Sequence, residues 1–426
     1  MNSFHYQDGQ LFCEQLPVAE IAQREGTPFY LYSHETLVRH YQAFDEAFGA
    51  FDHQICYSVK ACSNLSVISL FASLGGGCDV VSGGELFRAL QAGVEGGKIV
   101  FSGVGKAVGE INAALDAGIL MFNVESSQEL DLINELAEKR CMVAPVSVRI
   151  NPDVDPQTHP YISTGLSANK FGIPISEAVF LYQRAANLPN IKVVGVDCHI
   201  GSQLTKVSPF RDALDRVKSL IEELRRLKID IHYLDIGGGL GITYGAERPP
   251  LPAEYAKAVM GVVNDLGCVL IMEPGRALVG NAGILVSRVL YTKVGVTKNF
   301  VIVDAGMNDL IRPSLYNAYQ KIVPVGEFTG KEIDKKTVDV VGPICESGDF
   351  LAQERLLPPL NSGDLLAVMS SGAYGFTMSS NYNSRLRVPE IMVIGKQYQV
   401  IRRRETFNDL VAGENMVDWR AKVERS

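Results

Sequence analysis

The sequence predicts an α/β protein: a (β/α)8 barrel of the TIM type followed by an all-β C-terminal domain. Between about residues 50 and 282, short β-branched or apolar runs alternate with longer stretches of helical periodicity, and there are eight such runs. After about residue 282 the texture changes to strand-like runs separated by Gly, Pro and Asn turns. The length, 426 residues, also exceeds what one hydrophobic core usually supports.

Taken in order, the barrel runs are ICYSV, GCDVV, KIVFSG, LMFNVES, VSVRINP, VVGVDCHIG, YLDIGGG and VLIMEPG. Between them lie GELFRALQAG, SSQELDLINELAEK and SPFRDALDRVKSLIEELRRL, whose apolar residues recur at three and four and so line one face of a helix. The second domain is read from GILVSRVLYTKVGV, NFVIVDAG, TVDVVGPIC, DLLAVMSSGAYG and RVPEIMVIG, with no long amphipathic stretch before the tail. GTPFYLYS, residues 26–33, is strand-like but precedes the barrel, so it is expected to join the β domain. The expected division is therefore an N-terminal segment 1–35, a barrel 36–282 and a β domain 283–426.

Composition narrows the partners. A net charge of −8 and a pI near 5.5 argue against nucleic acid or an anionic membrane as the main partner. No window approaches 18 uninterrupted apolar residues, and no basic segment leads into an apolar one at the N-terminus. The eight cysteines form no CxxC pair and read as reduced thiols, which predicts a cytoplasmic protein; no metal is expected.

Chemistry in such barrels collects at the C-terminal strand ends. There the sequence sets Lys60, Asp79, Arg149, His199 with Ser202, the glycines Gly237, Gly238 and Gly239, and Glu273 with Arg276. Each has a plainer reading: a solvated lysine, a helix N-cap, a satisfied core histidine, a tight turn. The coincidence of six at one barrel face favours a site. GGGLG lets backbone N–H groups approach an anion, and falls at the seventh strand, where barrels often hold phosphate, rather than early in a βαβ unit as a dinucleotide fingerprint would. An amine, an anion cradle and a strand-end carboxylate suit pyridoxal phosphate, which needs an amine to bond, donors for its phosphate and an acidic partner for its pyridine nitrogen. Glu273 is the candidate partner, His199 a group able to lie on the ring face, and burial is expected to favour the neutral form of Lys60.

The motifs GTPFYLYS, YSVKA, GGGCDVVSGGEL, SANKFGI, HIGSQ, LDIGGGLGITY, EPGRALVG, DAGMNDLIRPSLYNAY, CESGDFLA and SGAYGFTMSSNYNSR resemble, in order and spacing and over nearly the whole chain, the group III pyridoxal-phosphate decarboxylases. That family combines an alanine-racemase-like barrel with a β domain. The resemblance implies that Lys60 carries pyridoxal 5'-phosphate, that His199 stacks on it, and that Ser202, Gly238, Gly239, Glu273, Gly275, Arg276 and Tyr374 bind it. Asp79, Glu85 and Arg149 match supporting positions. Arg276, Arg312, Tyr316, Glu346 and Tyr374 match substrate contacts, and Cys345 matches a proton donor that enters from the partner subunit of a homodimer with shared active sites.

A bidentate arginine is the usual carboxylate clamp, so Arg312 in IRPSLY favours a substrate with a distal carboxylate over a simple diamine precursor. Within the family this points to meso-2,6-diaminopimelate, decarboxylated to L-lysine and CO2. Another amino acid or carboxynorspermidine is the alternative substrate, and a non-catalytic carrier or a racemase the alternative roles. CESGD lies among turn residues, which predicts a reachable thiol at Cys345 rather than a buried one. The turn-rich stretch 151–173 is expected to act as a lid.

Overall fold

The computed structural model describes residues 2–154, 170–326 and 335–419. The core of the expected lid, residues 155–169, lies outside them.

The eight predicted runs are eight strands: His53–Ser58, Gly77–Val80, Ile99–Phe101, Met121–Val124, Ala144–Asn151, Ile191–Asp197, Tyr233–Asp235 and Val269–Met272. Each pairs in parallel with the next, and Leu270 of the eighth lies opposite His53 of the first, closing the barrel. The helix Ser208–Arg226 shows how the sequence packs the outside: Phe210, Ala213, Leu214, Val217, Leu220, Ile221 and Leu224 turn one buried face to the barrel, while the charged residues between them stay in water. Register also decides what sits inside the barrel. Arg149, Asp197 and Asp235 are direct neighbours on the fifth, sixth and seventh strands, and Ser58 is opposite Asp79 on the first and second.

The second sheet is built around Gly283–Val294, which pairs with Asn299–Val303, Leu365–Val368 and Phe29–Ser33. Phe29–Ser33 lies between Gly283–Val294 and Glu390–Ile394, so the strand-like run ahead of the barrel is an interior strand of the β sheet. Phe29, Leu31, Ile284, Val286, Ala367, Ile391 and Val393 form its core with Leu11, Cys13 and Val18. Strands Ile322–Pro324 and Phe350–Leu357 and a three-stranded N-terminal sheet, Phe4–Gln7, Gln10–Cys13 and Leu16–Pro17, add to the predicted set. Among the described residues no helix is long and apolar enough to cross a membrane.

A buried carboxylate joins the two domains. Glu390 is fully buried and accepts from Tyr32 Oη at 2.9 Å, Asn64 Nδ2 at 2.9 Å and Arg402 Nε at 2.5 Å. A buried charge is tolerable only when its oxygens are engaged in this way. Asn64 lies just beyond the turn that carries Lys60, so the β sheet is fixed to the barrel mouth close to the amine.

Candidate active site

The C-terminal barrel face and the β domain enclose a cavity of about 330 Å³, within the usual range for small-molecule sites. Lys60, His199, Ser202, Gly239, Glu273, Gly275 and Arg276 line it from the barrel, and Arg312, Tyr316 and Tyr374 from the β domain.

Lys60 follows the first strand, in the short 3-10 turn Val59–Ala61. Its Nζ donates to Asp79 Oδ2 at 2.7 Å, and its side chain keeps 34% exposure, directed into the cavity. Burial, the largest single influence, pulls its pKa down; Asp79, Glu273 and Tyr374 together outweigh it and push the value above the ordinary lysine range. The expectation of a neutral amine is thus corrected, because two carboxylates offset desolvation.

Asp79 is also reassigned. It is fully buried, does not line the cavity, and spends Oδ2 on Lys60 and on Ser58 Oγ at 2.8 Å, while Oδ1 has no partner among the described residues. It acts on the site through Lys60. Arg149 is likewise set back: its guanidinium is 3.0 Å from Glu125 Oε1 and lies over the Phe171 ring at 4.8 Å. Glu85 caps locally, accepting from Val81 N at 2.8 Å.

The glycines of the seventh strand end have a steric purpose. Gly237 has φ +62° and a Cβ there would come within 2.6 Å of His199 Nδ1; at Gly239, with φ +107°, it would come within 2.6 Å of the Gly201 carbonyl. Gly238, which does not line the cavity, donates its N–H to His199 Nδ1 at 3.1 Å. An accepting Nδ1 requires the neutral ring, and burial, with Arg149 and Lys60 nearby, holds the imidazole well below its ordinary pKa.

Glu273 lies at the cavity floor, where Oε1 accepts from Ser102 Oγ at 3.2 Å and lies 3.5 Å from Asn123 Nδ2. Asn123 Nδ2 also donates to Asp235 Oδ2 at 3.2 Å. Burial, then Asp235, Asp79 and Asp197, pushes the Glu273 carboxyl well above the usual carboxylate range. Burial raises Asp235 too, to about 6. Ser102, Asn123, Asp197 and Asp235 were not among the residues the sequence marked.

At the other end of the cavity stand two arginines, each 6% exposed. Arg276 Nη1 donates to Tyr244 Oη at 2.5 Å and Nη2 to Ser202 Oγ at 3.1 Å, and its Nε is buried without a partner among the described residues. Arg312 lies over the Tyr244 ring at 4.6 Å and meets the Gln320 side-chain oxygen at 2.9 Å once that amide is turned to suit both neighbours. Among the described residues neither guanidinium has a carboxylate within ion-pair distance. Tyr244, which the sequence reading passed over, lines the same cavity. Tyr374 adopts φ +56° and donates its N–H to Ala61 O at 2.8 Å, tying the β domain to the Lys60 turn.

Cys345 and Glu346 are not brought into this cavity by the chain that carries them. Both are exposed; Cys345 N donates to Asn383 Oδ1 at 2.7 Å, and Glu346 Oε2 accepts from Tyr382 Oη at 3.3 Å.

Residues 34–280 match the family model described as the pyridoxal binding domain of pyridoxal-dependent decarboxylases. The residues present fit that cofactor: an amine and a carboxyl face one cavity, with glycines where any side chain would collide. Diaminopimelate decarboxylases of Vibrio cholerae and Haemophilus influenzae are 53% and 51% identical to the chain, each over 98% of it and 100% of the relative. The crystal structure of the Helicobacter pylori diaminopimelate decarboxylase complexed with L-lysine is 42% identical with a TM-score of 0.88, covering 96% of this chain and 100% of that one. The M. jannaschii enzyme in co-complex with L-lysine is 39% identical with a TM-score of 0.92, covering 97% and 98%. The chain belongs to the pyridoxal-dependent decarboxylase family and, within it, to the diaminopimelate decarboxylases.

Proposed function

We propose that the chain decarboxylates meso-2,6-diaminopimelate to L-lysine and CO2 at the cavity between its domains, with pyridoxal 5'-phosphate held by Lys60, His199, Ser202, Gly239, Glu273, Gly275, Arg276 and Tyr374, and Gly238 acting through His199. The observation that carries the substrate assignment is the pair of buried guanidiniums, Arg276 and Arg312, without a carboxylate partner among the described residues, at the cavity that also holds the Lys60 amine. An uncompensated buried cation is costly, and a carboxylate brought by the substrate relieves that cost.

When bound, the cofactor supplies an electron sink for the pair left behind as the carboxylate departs. The chain's own residues do the rest. Glu273, raised by burial and its acidic neighbours, holds a proton at the cavity floor for the ring nitrogen. Asp79 accepts from Lys60 Nζ at 2.7 Å and so fixes where the amine stands in the cavity. His199, neutral and fixed by the Gly238 N–H, covers one side without adding charge. Arg312 and Tyr316 receive the end of the substrate that does not react.

Cys345 and Glu346 are exposed and stand outside the cavity of their own chain, which supports a homodimer in which each copy lends this turn to the other's site, Cys345 as proton donor. The eight cysteines, all unpaired, support a reducing compartment, the cytoplasm.

The test is CO2 release by the cofactor-loaded protein with meso-diaminopimelate, L-lysine, L-ornithine and carboxynorspermidine in parallel. Release from diaminopimelate with L-lysine as product is the expected result; release from another of the four in its place overturns the substrate assignment.

A further inference from the structure

Tyr244 closes the motif LDIGGGLGITY and lines the cavity, yet the proposed chemistry gives it no role. Its ring centroid is 4.6 Å from the Arg312 guanidinium carbon and 5.7 Å from that of Arg276, and its phenol oxygen accepts from Arg276 Nη1 at 2.5 Å. It therefore touches both members of the cationic pair, one through its π face and the other through its oxygen as well.

Two guanidiniums in one poorly solvated space repel each other. Burial first, and the Arg276 charge after it, lower the Arg312 pKa, while Tyr244 acts in the opposite direction. The negative face of an aromatic ring and the lone pairs of a phenol are what can offset that repulsion without occupying the place of an anion. A carboxylate at position 244 would cancel one of the two charges permanently; a tyrosine keeps the pair together and leaves both charges available.

The turn that presents the ring is closed on itself. Glu247 Oε2 accepts from Tyr244 N at 3.1 Å and Gly245 N at 2.6 Å, and Thr243 Oγ1 donates to Glu247 O at 3.0 Å. Tyr244 is 6% exposed, so its ring has little room to swing away. Its place is set before any substrate arrives, which is the condition for a preorganised clamp.

We propose that Tyr244 is a positioning residue that holds Arg276 and Arg312 together as one anion-receiving pair, and so sets the requirement for a carboxylate at the unreacting end of the substrate. The proposal rests on the function proposed above. It separates two contributions of one side chain. Tyr244→Phe removes the oxygen that accepts from Arg276 and keeps the ring over Arg312; Tyr244→Leu removes both.

The test compares the holoenzymes of the wild type and these two variants. Cofactor absorbance, KM and kcat for meso-diaminopimelate, and equilibrium binding of L-lysine and of 1,5-diaminopentane are measured on each. L-lysine retains the distal amino-acid end; the diamine lacks its carboxylate. Expected are unchanged cofactor loading, kcat within about 3-fold, and KM together with the L-lysine Kd raised about 10-fold in Tyr244→Phe and about 100-fold in Tyr244→Leu, with 1,5-diaminopentane affinity not weakened. Equal weakening for lysine and the diamine, or unaltered lysine affinity in both variants, overturns the proposal. Should Tyr244→Leu fail to fold, Tyr244→Phe alone decides between these outcomes. Failure of the substrate reading shows separately, as a wild type that releases no CO2 from diaminopimelate; the lysine–diamine comparison still tests the pair in that case.

Discussion

The barrel mouth and the turn at 345–348 both carry reactive side chains, but they are finished to different degrees by a single chain. At the mouth the groups expected to meet the cofactor are engaged: Lys60 with Asp79, His199 with Gly238, Glu273 with Ser102. At the turn, Cys345 and Glu346 are exposed, with the Cys345 N–H on Asn383 and the Glu346 carboxylate on Tyr382. Closed strands can fix side chains from within one chain, because each strand end is locked by two neighbours. A turn at the edge of the β domain has no such frame. The difference separates cofactor binding, whose residues one chain brings together, from the proposed protonation by Cys345, which calls for a second copy.

The largest effect comes from breaking the finished half. Lys60→Ala is expected to abolish the visible absorbance of covalently held cofactor and to lower turnover on the order of 10³-fold or more. Cys345→Ala should leave that absorbance intact and still cost roughly 10²-fold or more in kcat, the usual scale for losing a proton-transfer group. Equal loss of absorbance in both variants would erase the distinction between the two regions.

Arg312 belongs to the β domain yet faces the finished cavity. Arg312→Met should reduce kcat/KM for diaminopimelate by about 10²-fold, with cofactor absorbance unchanged. A drop in cofactor loading instead would move Arg312 from the substrate to the cofactor.

The comparison also explains what could be read in advance. All eight barrel strands are visible in the sequence because buried parallel strands are short apolar runs between amphipathic helices. Phe350–Leu357 is not: FLAQERLL is rich in good helix formers, and its place beside Lys336–Val341 is decided by tertiary pairing. At the site, the residues that follow strands were legible, since position alone marks them. Asp197, Asp235 and Asn123 were not, because a polar residue inside an apolar run does not announce which neighbours the barrel register will give it. The Lys60 charge depends on Asp79 and Glu273, distant in sequence and adjacent only once the barrel closes.

Two smaller effects sharpen the account of the mouth. Gly237→Ala places a Cβ against His199 at a φ of +62° and is expected to destabilise the protein by about 1–3 kcal/mol, read as a lower melting temperature with weaker cofactor retention. Burial raises the Glu85 carboxyl from the ordinary 4.5 to about 7. Between those values the folded chain keeps a proton that the unfolded chain loses, so this group's contribution to stability is full below the lower value and falls as pH rises through the upper one. Glu85→Gln should flatten that part of the stability profile; an unchanged slope would exclude Glu85 as its source.

The separation of the two regions is tested most directly by mixing. Purified Lys60→Ala and Cys345→Ala, each nearly inactive, are combined under conditions that exchange subunits, and CO2 release is measured. If the site is shared, random pairing restores about one quarter of wild-type activity, because half of the dimers each contain one site with both Lys60 and Cys345 intact. If mixing restores nothing although subunits have exchanged, Lys60 and Cys345 must act within one chain, and the account of the turn is wrong.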